Sequence, residues 1–166
     1  MANTSNGRFS DEWDKCYQEL RTIHTALDAQ DRMNIDETFK TRMLAELRLM
    51  RAFTYLRLVT WFGDVPFFTT NPTLPESRVV KVTEVAEILP KNTDIPESEN
   101  GRYTRGTAVA LNARAYLYDN DFENCAIWCD KLINSTEYGT YALESDYKKL
   151  FHDQSCCYGP EPIMTI

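Results

Sequence analysis

Apolar residues recur near the start of the chain at the spacing of a helix face. Trp13, Tyr17, Leu20, Ile23 and Leu27 fall three and four apart, which predicts one apolar stripe on a helix over about 11–29. Ser10 reads as its N-cap, with Asp11 and Glu12 following at the positive helix end. His24 flanks the stripe. A short polar segment, Asp28 to Asp36, leads to a second predicted helix over about 36–62. Its first half is amphipathic, with Phe39, Met43, Leu47 and Met50 on one side. Its second half adds Ala52, Phe53, Leu56, Val59, Trp61 and Phe62 on several faces and is expected to be buried from two sides. Arg48, Arg51 and Arg57 interrupt it; their stems suit apolar surface and their heads water or a carboxylate, with Glu46 the nearest candidate.

The stretch LMRAFTYLRLVTWFGDVPFF, Leu49 to Phe68, ends that helix abruptly. Gly63 can take the left-handed conformation of a C-terminal cap, and Pro66 holds Val65 extended and stops the helix resuming. Residues 69–105 contain Pro72, Pro75, Pro90, Pro96 and Gly101 and read mostly as loop, with Val82 to Leu89 helical. Helix resumes near Thr104. Ala108, Leu111, Ala115 and Tyr118 make one stripe, and Val109, Asn112 and Tyr116 another. Asp121 caps a fourth helix carrying Phe122, Cys125, Cys129 and Leu132. The end, Ile163 to Ile166, reads as strand or extended chain. The pattern therefore predicts an all-α fold of two helix pairs, near 11–62 and 106–134. A linker over 63–105 and a tail over 135–166 complete one expected domain, 1–166. Ala113, Tyr116, Phe122 and Cys125 sit at offsets like those of a tetratricopeptide unit, a motif that buries its faces by stacking.

Composition narrows the function. The 166 residues carry a net charge of −7 with scattered charges. No basic stripe exists to neutralise phosphates, which disfavours nucleic acid and anionic membrane surfaces. The apolar runs fall short of the roughly 20 residues that span a bilayer. The polar opening, Ala2 to Arg8, reads as a start whose targeting segment is absent or removed. Five cysteines, Cys16, Cys125, Cys129, Cys156 and Cys157, form no disulfide framework and read as buried or incidental thiols.

Candidate chemistry is sparse. Cys125 and Cys129 lie one helical turn apart, as ligands can, but only His24 and His152 are available to complete a metal site. Small-residue packing is the better reading, so no metal and no cofactor is expected. His152 with Cys156 and Cys157 lacks an orienting partner for nucleophilic chemistry. Carboxylates such as Asp11, Glu12, Asp14, Asp28 and Asp31 read as solvated surface, and no glycine-rich phosphate loop occurs. No catalytic residue is expected. Aromatics are the remaining binding candidates. Trp13 and Trp61 read as core; Trp128 lies off its helix stripe. Tyr103, Tyr138, Tyr141 and Tyr158 fall in loops, and Tyr103, Trp128 and Tyr141 are the candidates for sugar contact.

Four blocks of sequence carry a resemblance. AELRLMRAFTYLRLVTWFGDVPFF (Ala45 to Phe68) resembles the signature helix of the SusD/RagB outer-membrane nutrient-binding lipoproteins of Bacteroidetes, through Glu46, Arg51-Ala52, Phe53, Tyr55 and Phe62-Gly63-Asp64-Val65-Pro66. GRYTRGTAVALNARAYLY (Gly101 to Tyr118) is similar to that family's next helix. YALESDYKKLF (Tyr141 to Phe151) and EPIMTI (Glu161 to Ile166) resemble its continuation. The resemblance covers an N-terminal portion of a longer family member. It implies tetratricopeptide-like helix pairs, a lipid anchor that this chain lacks, a surface-exposed outer-membrane location, and capture of oligosaccharides or other nutrients for a TonB-dependent transporter. VTEVAEILP (Val82 to Pro90) looks like only the end of a longer family helix. No glycan-binding residue transfers by number. The alternative is a helical-repeat module that binds a protein and no sugar.

Overall fold

The computed structural model describes residues 7–68, 89–152 and 158–163. The predicted helix over Val82 to Leu89 lies outside them except for Leu89, which is buried, as does the extended end beyond Ile163. The chain forms two compact units, Met1–Val80 and Lys81–Ile166. The fold is all-α, and no strand occurs among the described residues.

The first unit is a helix hairpin. Helix α1 spans Gly7–Asp28 and α2 spans Glu37–Phe62, with a 3-10 turn at Gln30–Arg32 between them. Ser10 is not the N-cap: helix is already formed at Gly7, so Ser10 lies inside the first turns. Asp36 does cap α2, its carboxylate accepting from the Phe39 N–H at 2.9 Å. The helices run antiparallel, since Trp13 meets Phe62 and Cys16 meets Arg57 near one end. Ile23 and Leu27 pack with Leu44 at the other.

The expected stripe forms the seam, with additions. Cys16, Leu20, Ile23, His24 and Leu27 are buried on α1, while Trp13 and Tyr17 are half-buried over the cluster of Cys16, Leu20, Tyr55 and Leu58. Two-sided burial of α2 is not found. Leu58 is fully buried, whereas Trp61 is 53 % and Val59 48 % exposed. Trp61 is therefore not core; its ring meets Phe9 edge-on at 5.9 Å at the hairpin's open end. Phe39 and Met50 are also exposed.

Charges settle differently from the expected Glu46 pairing. Glu46 pairs with Arg42 one turn earlier on α2, at 3.4 Å. Arg57 instead reaches across to α1, with Nε 2.7 Å from Glu12 and a terminal nitrogen donating to the Cys16 sulfur at 3.0 Å. Glu19 lies 3.5 Å from the same guanidinium. Burial pushes the Cys16 thiol pKa upward, so it stays protonated and inert.

Gly63 terminates α2 at φ +74°, its N–H donating to the Val59 carbonyl at 3.0 Å. The chain beyond it is fastened by two tyrosines. Tyr17 donates to the Pro66 carbonyl at 2.9 Å. The Tyr55 hydroxyl accepts from the Phe68 N–H at 2.7 Å and donates to its carbonyl at 3.1 Å.

The second unit contains α3 (Arg105–Tyr118), α4 (Phe122–Asn134) and the single turn α5 (Lys149–His152). The corner between α3 and α4 takes three residues. Asn120 adopts φ +61°, with its N–H on the Leu117 carbonyl and the Asp121 N–H on the Tyr116 carbonyl, both bonds of a Schellman closure. Asp121 then caps α4 by accepting from the Asn124 N–H at 3.1 Å, as its sequence position predicts. The buried face of α3 is Gly106, Thr107, Ala108, Val109, Leu111 and Ala113; Tyr118, expected on a stripe, is 47 % exposed.

Two outcomes follow for the first unit. Leu58→Ala should cost about 2–5 kcal/mol in denaturant unfolding, because it opens a cavity in the seam. Trp61→Ala should stay within about 0.5 kcal/mol, as exposed sites do. Separately, burial and then the nearby Arg51 charge depress the His24 pKa below its ordinary 6.5, with Asp28 and the Phe68 backbone opposing. A depressed folded-state pKa means that the unfolded chain binds the proton more readily. The His24 contribution is thus present above pH 6.5 and is lost as pH falls toward the folded pKa. Thermal melts from pH 7.5 to 5 should show this loss, and His24→Gln should reduce the slope.

Candidate functional site

Two concavities are candidates, one on each unit. The first is a groove of about 440 Å³ between α1 and α2. Its floor is apolar, from Ile23, Ala26, Leu47 and Met50. Its hydroxyls are already committed: Thr22 donates to the Gln18 carbonyl at 3.0 Å and Thr54 to the Met50 carbonyl at 3.0 Å. Such a surface offers little to a hydroxyl-rich ligand.

The second is a cleft of about 100 Å³ in the other unit. One wall is the segment before α3, contributing Asn92, Asn100, Arg102 and Thr104. The other is the tail at Tyr158, Gly159, Pro162 and Ile163. Both walls are tied down. Asn92 spends its whole side-chain amide on Thr140, donating to its carbonyl at 2.7 Å and accepting from its N–H at 2.9 Å. Arg105 binds back to the Leu89 carbonyl through Nε at 2.5 Å and to the Pro90 carbonyl through its N–H at 2.9 Å. The tail is held where Ala142 donates to the Pro160 carbonyl at 3.1 Å and Glu144 N–H to the Glu161 carboxylate at 2.6 Å.

Behind the cleft lies a directional chain of hydroxyls. Thr107 Oγ1 donates to the Ile163 carbonyl at 2.9 Å, which uses its only proton. It accepts from the Thr104 N–H at 3.3 Å, so in the 3.0 Å contact between the two threonine oxygens Thr104 must be the donor. Thr104 Oγ1 accepts from the Thr107 N–H at 3.1 Å, and the Tyr141 hydroxyl, at 3.1 Å, must therefore donate to it. The proton order is Tyr141, Thr104, Thr107, Ile163, and both threonine oxygens are saturated. Burial raises the Tyr141 pKa, which keeps this donor protonated.

The three aromatic candidates fall in different places. Tyr141 lies behind the cleft, with its hydroxyl engaged on Thr104 and its ring over Gly106 and Gly139. A Cβ at either glycine would overlap that ring, and Gly139 also sits at φ +133°. Tyr103 is half-buried between Arg102 and Thr104, two residues of the cleft wall. Trp128 does not line the cleft. It lies on α4, edge-on to Tyr138 at 6.3 Å, with the Lys131 ammonium 4.1 Å above its ring. Asn92, Asn100, Arg102 and the Gly159–Ile163 wall carry no periodicity or motif by which sequence reasoning singles them out. Cys125 and Cys129 hydrogen-bond to each other, and burial together with that neighbour raises the Cys129 pKa. Among the described residues, no group of three or more His, Cys, Asp or Glu side chains is placed to hold a metal ion. No described helix is long and apolar enough to cross a membrane.

Helix pairs of this kind, with a small fastened cleft and no assembled acid–base or nucleophilic pair among the described residues, define a helical scaffold for binding. A family model described as starch-binding and associating with the outer membrane matches residues 1–117, and the chain belongs to this SusD-like family. SusD-like protein P2 of Formosa agariphila is 28 % identical over 172 residues, covering 97 % of this chain and 34 % of that protein. SusD-like protein P25 of the same organism is 26 % identical over 156 residues, 86 % of this chain and 29 % of that one. The chain thus spans about a third of the length of these relatives. A SusD-like carbohydrate-binding protein of Bacteroides fragilis superposes with a TM-score of 0.76 at 25 % identity, over 89 % of this chain and 31 % of its own. Surface glycan-binding protein A of Bacteroides uniformis gives 0.77 at 22 % identity, over 93 % and 37 %, which shows the shared fold. The family description is one of binding and not of catalysis.

Tyr141→Phe should cost about 0.5–1.5 kcal/mol, since it leaves a Thr104 lone pair unmet while keeping the ring. Gly106→Ala should cost more, about 1–3 kcal/mol, by forcing the ring away. Urea unfolding of the two variants side by side would measure both.

Proposed function

We propose that this chain is the helical scaffold portion of a non-catalytic, surface-exposed glycan-binding protein that delivers oligosaccharides to a TonB-dependent outer-membrane transporter. The match of residues 1–117 to a starch-binding, outer-membrane-associated family carries this reading. The carbohydrate-binding relative from Bacteroides fragilis adds to it. A lipid anchor, outside these residues, would hold the protein at the membrane.

Of the aromatic candidates, Tyr103 and Trp128 are placed to touch a sugar, and Tyr141 acts by holding Thr104. Sugar capture needs aromatic faces and polar groups converging in one concave site. The small cleft meets that need for only a short piece of glycan, so affinity is weak.

Titration calorimetry of the 166-residue chain against maltotriose, laminaritriose, mannotriose and xylotriose tests the reading. At least one should bind saturably near millimolar, roughly 4 kcal/mol. Flat titrations throughout would instead favour the rival reading, a helical-repeat module for a protein partner.

A further inference from the structure

We propose that the cleft between Asn100–Thr104 and Tyr158–Ile163 seats one neutral pyranose ring of an oligosaccharide, with Tyr158 against its C–H face and Asn100 and Arg102 toward its hydroxyls. This rests on the glycan-binding reading above and adds the site and the sugar class.

Size sets the stoichiometry. An enclosed cavity of about 150 Å³ takes one benzene. An open cleft of about 100 Å³ therefore holds one sugar ring, and the rest of the glycan runs out into solvent.

The chemistry of the walls matches a sugar's two kinds of surface. Tyr158 is 56 % exposed, and its neighbour Gly159 has no side chain to cover the ring. Pro162 and Ile163 extend the apolar side. Opposite them, exposed Asn100 offers an amide that can donate and accept, as a hydroxyl requires. Arg102 adds a planar array of donors.

Charge excludes the acidic sugars. Arg102 is the only cation on the lining, Glu99 lies three residues away on the same segment, and the chain as a whole is at −7. A uronate would meet one guanidinium inside a repulsive field. A neutral ring meets no such penalty.

The walls are also preorganised. Asn92 on Thr140, the Ala142 and Glu144 bonds to the tail, and the Tyr141–Thr104–Thr107–Ile163 chain fix both sides of the cleft. Little ordering remains for the ligand to impose.

Saturation-transfer and chemical-shift NMR on the intact chain tests this, with maltotriose, laminaritriose and trigalacturonate as probes. Wild type should bind a neutral trisaccharide, and Tyr158→Ala and Asn100→Ala should each weaken it about tenfold or more. Tyr158→Phe should stay within about threefold of wild type, because stacking needs the ring and not the hydroxyl. Trp128→Ala, away from the cleft, should leave affinity unchanged. Thermal melts should agree across the Tyr158 variants, so that a lost signal is not lost fold. Neutral binding that survives both Tyr158→Ala and Asn100→Ala would sink the cleft and leave the glycan-binding reading standing. Stronger binding of trigalacturonate than of either neutral sugar would overturn the sugar class. Absence of binding to all three probes would overturn both.

Discussion

The second unit is organised around the closeness of the Tyr141 ring to the first turn of α3. Gly106 has no Cβ, and the ring occupies that space. The hydroxyl at its tip reaches Thr104, the residue that caps the helix. A helix N-terminus has unsatisfied N–H groups, and here one is met by Thr104 in a reciprocal box with Thr107. The same two threonines pass the tyrosine proton's direction on to the Ile163 carbonyl. A cap that ordinarily fixes only its own helix therefore fixes the loop before α3, the segment after α4 and the tail. The cleft exists because those three strands of chain are held at one point.

The first unit reaches a similar end by a different route. A long helix that stops at a glycine leaves the emerging chain without internal hydrogen bonds. Tyr17 and Tyr55, one from each helix, supply them at Pro66 and Phe68. The Arg57 guanidinium then locks α1 to α2 through Glu12 and Cys16. Exposed ion pairs contribute little, about 0–1 kcal/mol. The seam of Leu20, Tyr55 and Leu58 supplies the larger stabilisation, and the arginine selects the alignment of the two helices.

How much of this was legible in the sequence follows from which physics is local. Stripe spacing located all four main helices, because periodicity is a property of neighbouring residues. Asp121 and Gly63 were legible for the same reason: a cap or a stop acts within a few positions. Ser10 failed because Asp11 and Glu12 beside it suit a helix's first turns as well as its start, and helix runs through it from Gly7. Trp61 failed because a large aromatic late in an apolar helix says nothing of whether a neighbour covers it. The Arg57 partners lie 38 to 45 residues away on another helix, so no local pattern could choose them over Glu46. The cleft was least legible. Its residues come from segments more than fifty positions apart and belong to no periodic element.

The contrast between the two concavities shows why volume alone does not identify a sugar site. The α1–α2 groove is the larger, yet its threonine hydroxyls close onto their own helix carbonyls. A helix satisfies its side-chain hydroxyls one turn back, so a groove built from helix faces is poor in free polar groups. The cleft is built from loop and tail, where the backbone does not fold back on itself and an amide such as Asn100 faces outward. Polar recognition thus moves to the irregular segments, and the helices serve by fastening them. For a hydroxyl-rich ligand, the small cleft with open hydrogen-bonding groups is the better site, since each buried sugar hydroxyl left without a partner costs about 1–3 kcal/mol.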